Sequence, residues 1–332
     1  MATPVQIKLS KRPAGIPQDD VWETTNDAPR DLADGEIALD VQYLSIDPAM
    51  RGWMRDGRSY VPPVGIGEVM RAIGAGVVTA SKADGFDEGD AVVGLTGVQT
   101  HYVGPSQGFN KVFPGLAPLP TFLAGLGMPG MTAYFGLLDV GQLKDGETVL
   151  VSAAAGAVGG IVGQIAKIKG CRVIGLAGGK EKCDAVINEY GFDDCIDYKA
   201  GDVGAAIKKA CPDRIDVYFD NVGGEILDAA LNNIAMNGRI VVCGAISQYN
   251  EVKAPAGPAN YLQLLVQRAR MEGLVVFDYQ KRFPEAAMQM AGWAQEGKLK
   301  FKEHVVEGIE NFPDALRMLF EGRNHGKLVV KI

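Results

Sequence analysis

The chain of 332 residues is 47 % hydrophobic and 22 % charged, which excludes intrinsic disorder and fibrous folds. At roughly 100–200 residues per domain there is room for two or three domains. A net charge of −7 argues against a nucleic-acid partner, because such binders present a basic domain.

Residues 1–13 lack the apolar core of a signal peptide. In the first 120 residues, 36–44 alternates at period two, 74–78 and 91–94 are short apolar runs, and 84–90 has turn chemistry. A small antiparallel barrel is expected there. Two uncharged stretches, 112–138 and 149–166, are broken by proline or glycine. They read as buried core, since a membrane span needs about 20 continuous apolar residues. From residue 141 apolar strands at 148–151, 172–176, 217–219 and 239–243 alternate with helical patterns at 161–169, 180–190 and 225–236. That alternation predicts a parallel sheet covered on both faces. The tail returns to strands at 301–306 and 327–332, with a helix at 313–321, and is expected to rejoin the first domain. No repeat of 20–50 residues is visible.

The five cysteines include no C-x-x-C pair, and the three histidines form no metal-binding motif. Reduced thiols, a cytoplasmic setting and no protein-held metal are expected.

The strongest chemical signal follows the strand at 148–151. A run of small residues, Ser152-Ala-Ala-Ala-Gly156-Ala-Val-Gly159-Gly160, leads into a helix. Such a strand–turn–helix can seat a pyrophosphate on free N–H groups at the helix N-terminus. Ala154 stands where the first glycine of G-x-G-x-x-G belongs, so the strict fingerprint is broken. Gly156 and Gly159 would permit close phosphate approach. The second strand ends without a carboxylate, at Gly178-Gly179-Lys180-Glu181-Lys182. An NAD site would carry an acid there for the ribose 2′-OH, so NADP(H) is favoured. Lys180 and Lys182 could equally be solvated helix-start lysines. Two further strand ends, Phe219-Asp220-Asn221 and Cys243-Gly244-Ala245-Ile246-Ser247-Gln248-Tyr249, place small or polar residues where a doubly wound sheet binds ligand.

These segments resemble the zinc-independent medium-chain dehydrogenase/reductases, in the branch of leukotriene B4 12-hydroxydehydrogenase/prostaglandin reductase and the bacterial curcumin reductases. The resemblance is carried by LSIDPAMRGWM at 44–54, YVPPVGIGEVM at 60–70, LGMPGMTAYFGL at 126–137 and SAAAGAVGGIVGQIAKIKGCRVIGLAGGKEKC at 152–183. It continues through FDNVGGEILDAAL at 219–231, GRIVVCGAISQYN at 238–250, MEGLVVFDY at 271–279 and EGRNHGKLVVKI at 321–332. It implies an α/β protein: a GroES-like β-barrel catalytic domain, residues 1–124 and 298–332, and a Rossmann doubly wound parallel-sheet domain, residues 125–297. It also implies NADPH-dependent reduction of the carbon–carbon double bond of α,β-unsaturated ketones and aldehydes.

By the same resemblance, Ala155, Gly156, Ala157 and Val158 hold the pyrophosphate. Lys182 meets the 2′-phosphate and Tyr198 lies by the adenosine half. Asn221 and the seven residues from Cys243 to Tyr249 line the nicotinamide half. Leu274, Val275, Val276 and Asn324 complete the groove. Zinc-binding relatives carry Cys near Asp47-Pro48 and Gly-His-Glu near Ile66-Gly67-Glu68, and this chain does not. Where the branch often has an aromatic, it has Ala49, which leaves substrate preference open.

Conjugate reduction needs a donor aimed at the developing enolate oxygen. The Tyr249 hydroxyl is the candidate, aided by the cofactor ribose; a loop aromatic packed on the cofactor is the plainer reading. Tyr60, Met128 and Thr132 are weaker candidates for the substrate pocket. Arg51, Arg55 and Arg58 read as a solvated run. A homodimer formed through strand pairing near 274–277 is expected. Two alternatives stay open: an NADPH:quinone oxidoreductase, and an NADPH-binding sensor or structural protein with little turnover.

Overall fold

The computed structural model describes residues 3–332. The chain divides into two compact units, one made of the chain up to Leu123 together with Glu303–Ile332, the other of Ala124–Lys302.

In the first unit β1 (Gln6–Leu9) pairs antiparallel with β2 (Trp22–Thr25). The main sheet starts with β3 (Glu36–Ser45), in which Ile37, Leu39 and Val41 point inward while Asp40 faces solvent. The period-two sequence pattern is thus realised in the strand. Then come α1 (Ala49–Trp53), β4 (Ile73–Ser81), β5 (Ala91–Leu95), β6 (His101–Pro105) and β7 (Asn110–Lys111). After the second unit the chain adds β14 (Glu303–Glu307), α9 (Phe312–Glu321) and β15 (Lys327–Lys331). The strand order is β14-β15-β3-β4-β5-β7, with β6 also on β3. One edge of β3 serves two partners, β6 along its first half and β15 along its second. Two register shifts interrupt its pairing with β4, one at Ala38/Leu39 beside β6 and one at Val41/Tyr43 between its two partners. All pairs are antiparallel except β14–β15, whose connection through α9 allows the parallel arrangement.

The second unit contains six parallel strands: β8 (Thr148–Ser152), β9 (Arg172–Ala177), β10 (Asp194–Asp197), β11 (Ile215–Asp220), β12 (Ile234–Val242) and β13 (Arg270–Gly273). Their order is β10-β9-β8-β11-β12-β13, so the sheet reverses direction of growth at β8 and β11. Its helices are α2 (Met128–Phe135), α3 (Gly159–Ile168), α4 (Lys180–Tyr190), α5 (Val203–Ala210), α6 (Gly224–Asn232), α7 (Gln263–Val266) and α8 (Phe283–Gln295). Alternate residues of each strand feed two cores. Val149, Val151, Val217 and Phe219 join Phe135, Ile165 and Met290 on one face. Leu150, Ile174, Tyr218 and Ile240 join Ile207, Ala230 and Leu231 on the other. Each buried Val, Leu, Ile, Phe or Met side chain among them contributes roughly 1.5–3 kcal/mol of transfer free energy. This is the expected α/β architecture with a doubly wound sheet.

Four local expectations are corrected. The helix expected over 225–236 stops at Asn232, and β12 begins at Ile234, paired with Ile215. Apolar Leu227, Ala230, Leu231 and Ile234 keep helical spacing, so periodicity could not see the change to strand. The strand expected over 301–306 starts only at Glu303, because Phe301 is packed on Gly125, where a Cβ would stand 1.9 Å from its ring. The edge strand expected near 274–277 is β13, ending at Gly273; Val276–Arg282 is a 3-10 helix. Arg51 is not solvated but 2 % exposed. Its Nε donates to Gly15 O at 3.0 Å and its Nη2 to Pro13 O at 3.2 Å. Burial, with Arg55 nearby, lowers its pKa to about 10.

Candidate functional site

The candidate residues of the second unit follow the carboxyl ends of its parallel strands, where doubly wound sheets take ligands. After β8 the chain turns sharply. Ala153 adopts a left-handed φ of 50°, which is uncommon for a residue with a Cβ. Gly159 is buried, and a Cβ there would lie 2.4 Å from the Ala153 carbonyl oxygen. Its role is therefore to close the turn on itself, whereas Ala155, Gly156, Ala157 and Val158 remain partly exposed. No side chain caps α3 and no acid stands in its first turn. The positive end of the helix dipole and its amide groups thus face the turn uncompensated by the chain's own acids.

The tips of β9 and β10 form a second corner. Gly179 has φ 101° and donates its N–H to Asp197 Oδ1 at 2.8 Å. The same oxygen accepts from Lys199 N at 3.0 Å, so this carboxylate is held by main-chain donors. The two lysines that sequence left equivalent are distinct. Lys180 is solvent-facing and ion-paired with Asp184 at 2.5 Å. Lys182 is half-buried; desolvation first, and then the charge of Lys199, lower its ammonium pKa. Tyr198 and Lys199 also close on Gly178, where a Cβ would be 2.7 Å from the tyrosine hydroxyl and 3.0 Å from the lysine Cε. Lys199 escaped the sequence reading; its signal was adjacency to Tyr198 just after a strand.

The ends of β11 and β12 form the third corner. Asn221 donates its main-chain N–H to Ser152 Oγ and its side-chain amide to Ser152 O, both at 2.8 Å. With Nδ2 committed to β8, the Asn221 carbonyl oxygen is the end of the amide turned away from that strand. The segment 243–249 folds back as a 3-10 turn over Ile246–Gln248. Ser247 donates to Val222 O at 2.6 Å through its hydroxyl. The Tyr249 hydroxyl accepts from Ala245 N–H at 3.2 Å and lies over Gly244, where a Cβ would be 2.9 Å from it. An O–H that accepts such a bond becomes a better donor. Burial pushes the Cys243 thiol up to about 12, which makes it a poor nucleophile. Beyond β13, Leu274 packs in the core, followed by Val275 and Val276 at the start of the 3-10 helix.

The remaining candidates are less committed to a site. On α2, the Thr132 hydroxyl donates to Met128 O at 2.8 Å within its own helix. Tyr60 and Asn324 belong to the first unit. Tyr60 is 56 % exposed, and the Asn324 amide donates to Gly326 O at 2.9 Å. In the same unit Asp47 is ion-paired at 2.7 Å with Lys327, itself 2 % exposed, and bonded to Ser45. Glu68 turns back onto Gly65 N at 2.7 Å. Among the described residues no three His, Cys, Asp or Glu side chains are grouped to hold a metal ion.

Two sequence families match: one described as the N-terminal domain of oxidoreductase, over residues 5–112, and one described as zinc-binding dehydrogenase, over 157–292. The chain is 46 % identical to a putative NADP-dependent oxidoreductase of Bacillus subtilis, with 100 % of this chain and 98 % of the relative aligned. It is 42 % identical to the NADPH-dependent curcumin reductase of Escherichia coli, over 98 % and 95 %. The crystal structure of CurA from Vibrio vulnificus in complex with NADPH is 45 % identical, with a TM-score of 0.94 over 98 % of each chain.

Proposed function

Since the chain belongs to the medium-chain dehydrogenase/reductases, in the branch of the prostaglandin and curcumin reductases, we propose that it reduces the carbon–carbon double bond of α,β-unsaturated ketones and aldehydes with NADPH. The observation that supports this reading most is the convergence of Lys182 and Lys199 at the β9–β10 corner. Lys182 is half-buried and Lys199 exposed beside it, and Glu181 offsets the charge of Lys182 less than burial and Lys199 oppose it, so the corner favours an anion. A ribose 2′-phosphate has the charge and the place in a dinucleotide to be that anion.

In this reading Ala155, Gly156, Ala157 and Val158 offer their amides to the pyrophosphate, at the uncapped start of α3. Lys182, Lys199 and Tyr198 hold the adenosine-side phosphate. Asn221 and the 243–249 segment line the nicotinamide side with Leu274, Val275 and Val276, while the assignment of Asn324 to the cofactor rests on the resemblance alone. Bound NADPH supplies a hydride for the substrate β-carbon. The protein's task is the oxygen at the other end of the conjugated system. As the enolate forms, the Tyr249 O–H donates a hydrogen bond to that oxygen and stabilises its growing charge, and a proton from water then completes the reduction at the α-carbon. The assignment of Tyr60, Met128 and Thr132 to the substrate pocket rests on the resemblance alone. A cation for the position that holds zinc ligands in metal-binding relatives is already built in as Lys327 on Asp47, so the reaction is read as metal-free.

The protein is further read as a cytoplasmic homodimer. No helix among the described residues is long and apolar enough to cross a membrane. β13 ends the sheet order, and Leu262, Leu265 and Val266 just before it are exposed, which suits edge pairing between two copies. Sedimentation would report the dimer. The deciding assay follows NADPH absorbance with a simple enone, beside NADH and beside a quinone. Rapid oxidation by the enone, with NADH much poorer, is expected. A preference for the quinone, or NADPH binding without turnover on any acceptor, would overturn the reading.

A further inference from the structure

Asp220 ends β11 and is 1 % exposed. One carboxylate oxygen does all of its work. Oδ1 accepts from Tyr218 Oη at 2.7 Å, Gly223 N at 2.9 Å, Val222 N at 3.0 Å and Ser152 Oγ at 3.3 Å. Oδ2 is buried with no hydrogen-bond partner among the described residues. An unpartnered buried oxygen is costly, so the side chain is retained for what the other oxygen holds. Burial raises the carboxyl pKa, and the donors on Oδ1 oppose that rise.

Those donors make Asp220 the centre of a turn. N–H groups two and three residues ahead fold back onto the Asp side chain, an Asx-type arrangement. The turn then carries the next loop on three successive main-chain carbonyls. Asp220 O accepts from Cys243 N at 2.9 Å and Gly244 N at 3.1 Å. Asn221 O accepts from Ile246 N, and Val222 O from Ser247 N, both at 3.2 Å. The loop so suspended ends at Tyr249, whose hydroxyl is fixed by Ala245 N–H. Ser152 ties the same turn to β8 through Asn221. Three strand ends therefore meet at the turn that this buried side chain folds.

We propose that Asp220 is a positioning residue for reduction: by folding the 220–223 turn around Oδ1 it sets where Asn221 and Tyr249 stand. The proposal rests on the reading that Tyr249 meets the substrate oxygen. Geometry, rather than charge, is what the turn needs. Asp220→Asn keeps an acceptor in the Oδ1 place and puts its amide nitrogen where Oδ2 had no partner. Asp220→Ala leaves Tyr218 Oη, Val222 N and Gly223 N without this acceptor, while the Ser152 hydroxyl keeps Phe219 O at 3.3 Å.

The test is a double-mutant cycle on kcat for enone reduction, with NADPH Kd by fluorescence and thermal unfolding measured on every variant. Asp220→Asn should stay within about threefold of the parent, while Asp220→Ala should lose about 20-fold in kcat. In a Tyr249→Phe background, Asp220→Ala should cost less than about threefold more, because coupled residues are not additive. Independent, multiplying losses would overturn the proposal, as would an Asp220→Asn enzyme as poor as Asp220→Ala. Should Asp220→Ala not fold, Ser152→Ala carries the same cycle, with about a fivefold loss expected alone and none beside Tyr249→Phe. Should Tyr249→Phe alone leave kcat intact, the Tyr249 reading fails by itself. Asp220 is then judged on NADPH Kd: a rise of about fivefold in Asp220→Ala, absent in Asp220→Asn, supports it, and an unchanged Kd overturns it.

Discussion

The two sides of the parallel sheet's crevice are built on different physics. At the β9–β10 corner, Tyr198 and Lys199 crowd a glycine tip, and the positive charge of Lys199 acts on the half-buried Lys182. At the β11–β12 corner the groups are neutral or buried, and the dominant feature is a chain of hydrogen bonds hung on Oδ1 and the carbonyl of Asp220. The first arrangement discriminates by charge and tolerates small displacements, since Coulomb energy falls slowly with distance. The second discriminates by placement, since hydrogen bonds weaken steeply with angle. Affinity and cofactor choice should therefore be read at one corner and turnover at the other.

Substitutions at the two corners should separate accordingly. The largest effect is expected for Tyr249→Phe, a loss in kcat of about 100-fold with KM for NADPH nearly unchanged, as when one oxyanion donor is removed. Steady-state kinetics in which KM moved and kcat did not would erase the contrast. Next is Gly159→Ala, between the corners. Its Cβ would meet backbone that cannot swing away, so a loss of about 1–3 kcal/mol in stability is expected from denaturant unfolding. Lys199→Ala should weaken NADPH binding about tenfold and leave NADH binding alone, measured by titration at fixed ionic strength.

A pH series sharpens the same corner. The Lys182 ammonium gives up its proton below the ordinary lysine range, because of burial and then Lys199. NADPH affinity should accordingly fall as the pH rises toward that range, earlier than a solvated lysine would permit, while NADH affinity stays flat. For the ligand-free fold the sign is opposite. The folded protein binds that proton more weakly than the unfolded chain, so its cost to stability is present below the folded pKa and fades as the pH rises through the unfolded one. The smallest effect is expected for Gly178→Ala. Its Cβ would press on the far ends of Tyr198 and Lys199, which can shift, so a two- to threefold loss confined to NADPH is expected from the same titration.

Much of this was legible in the sequence because it is local. The β8 strand, its turn and α3 carry their signal in consecutive residues, and the alternating strands and helices after residue 141 dictate a doubly wound sheet. What failed to show is tertiary. Arg51 reads as solvated beside Arg55 and Arg58, but it is buried and donates to the carbonyls of Pro13 and Gly15, far away in sequence. Lys180 and Lys182 look equivalent until Asp184 engages one of them and Lys199 faces the other. Asp220 has nothing in its neighbouring sequence to reveal that Ser152, some seventy residues earlier, will share its oxygen. Asn232 ends α6 because Ile234 gains a partner in Ile215, a contact periodicity does not encode.

The interleaving of β15 between β14 and β3 has a consequence for biosynthesis. The ribosome makes all of Ala124–Lys302 as one uninterrupted stretch, so the parallel-sheet unit can fold as soon as it emerges. The other unit is synthesised in two instalments. Until Lys327–Lys331 arrives, the second half of β3 has one edge without its mate, and Leu44 lacks the cover of Val330. The nascent chain therefore passes through a stage with one finished unit and one adhesive, half-made sheet, the kind of exposed edge that chaperones shield.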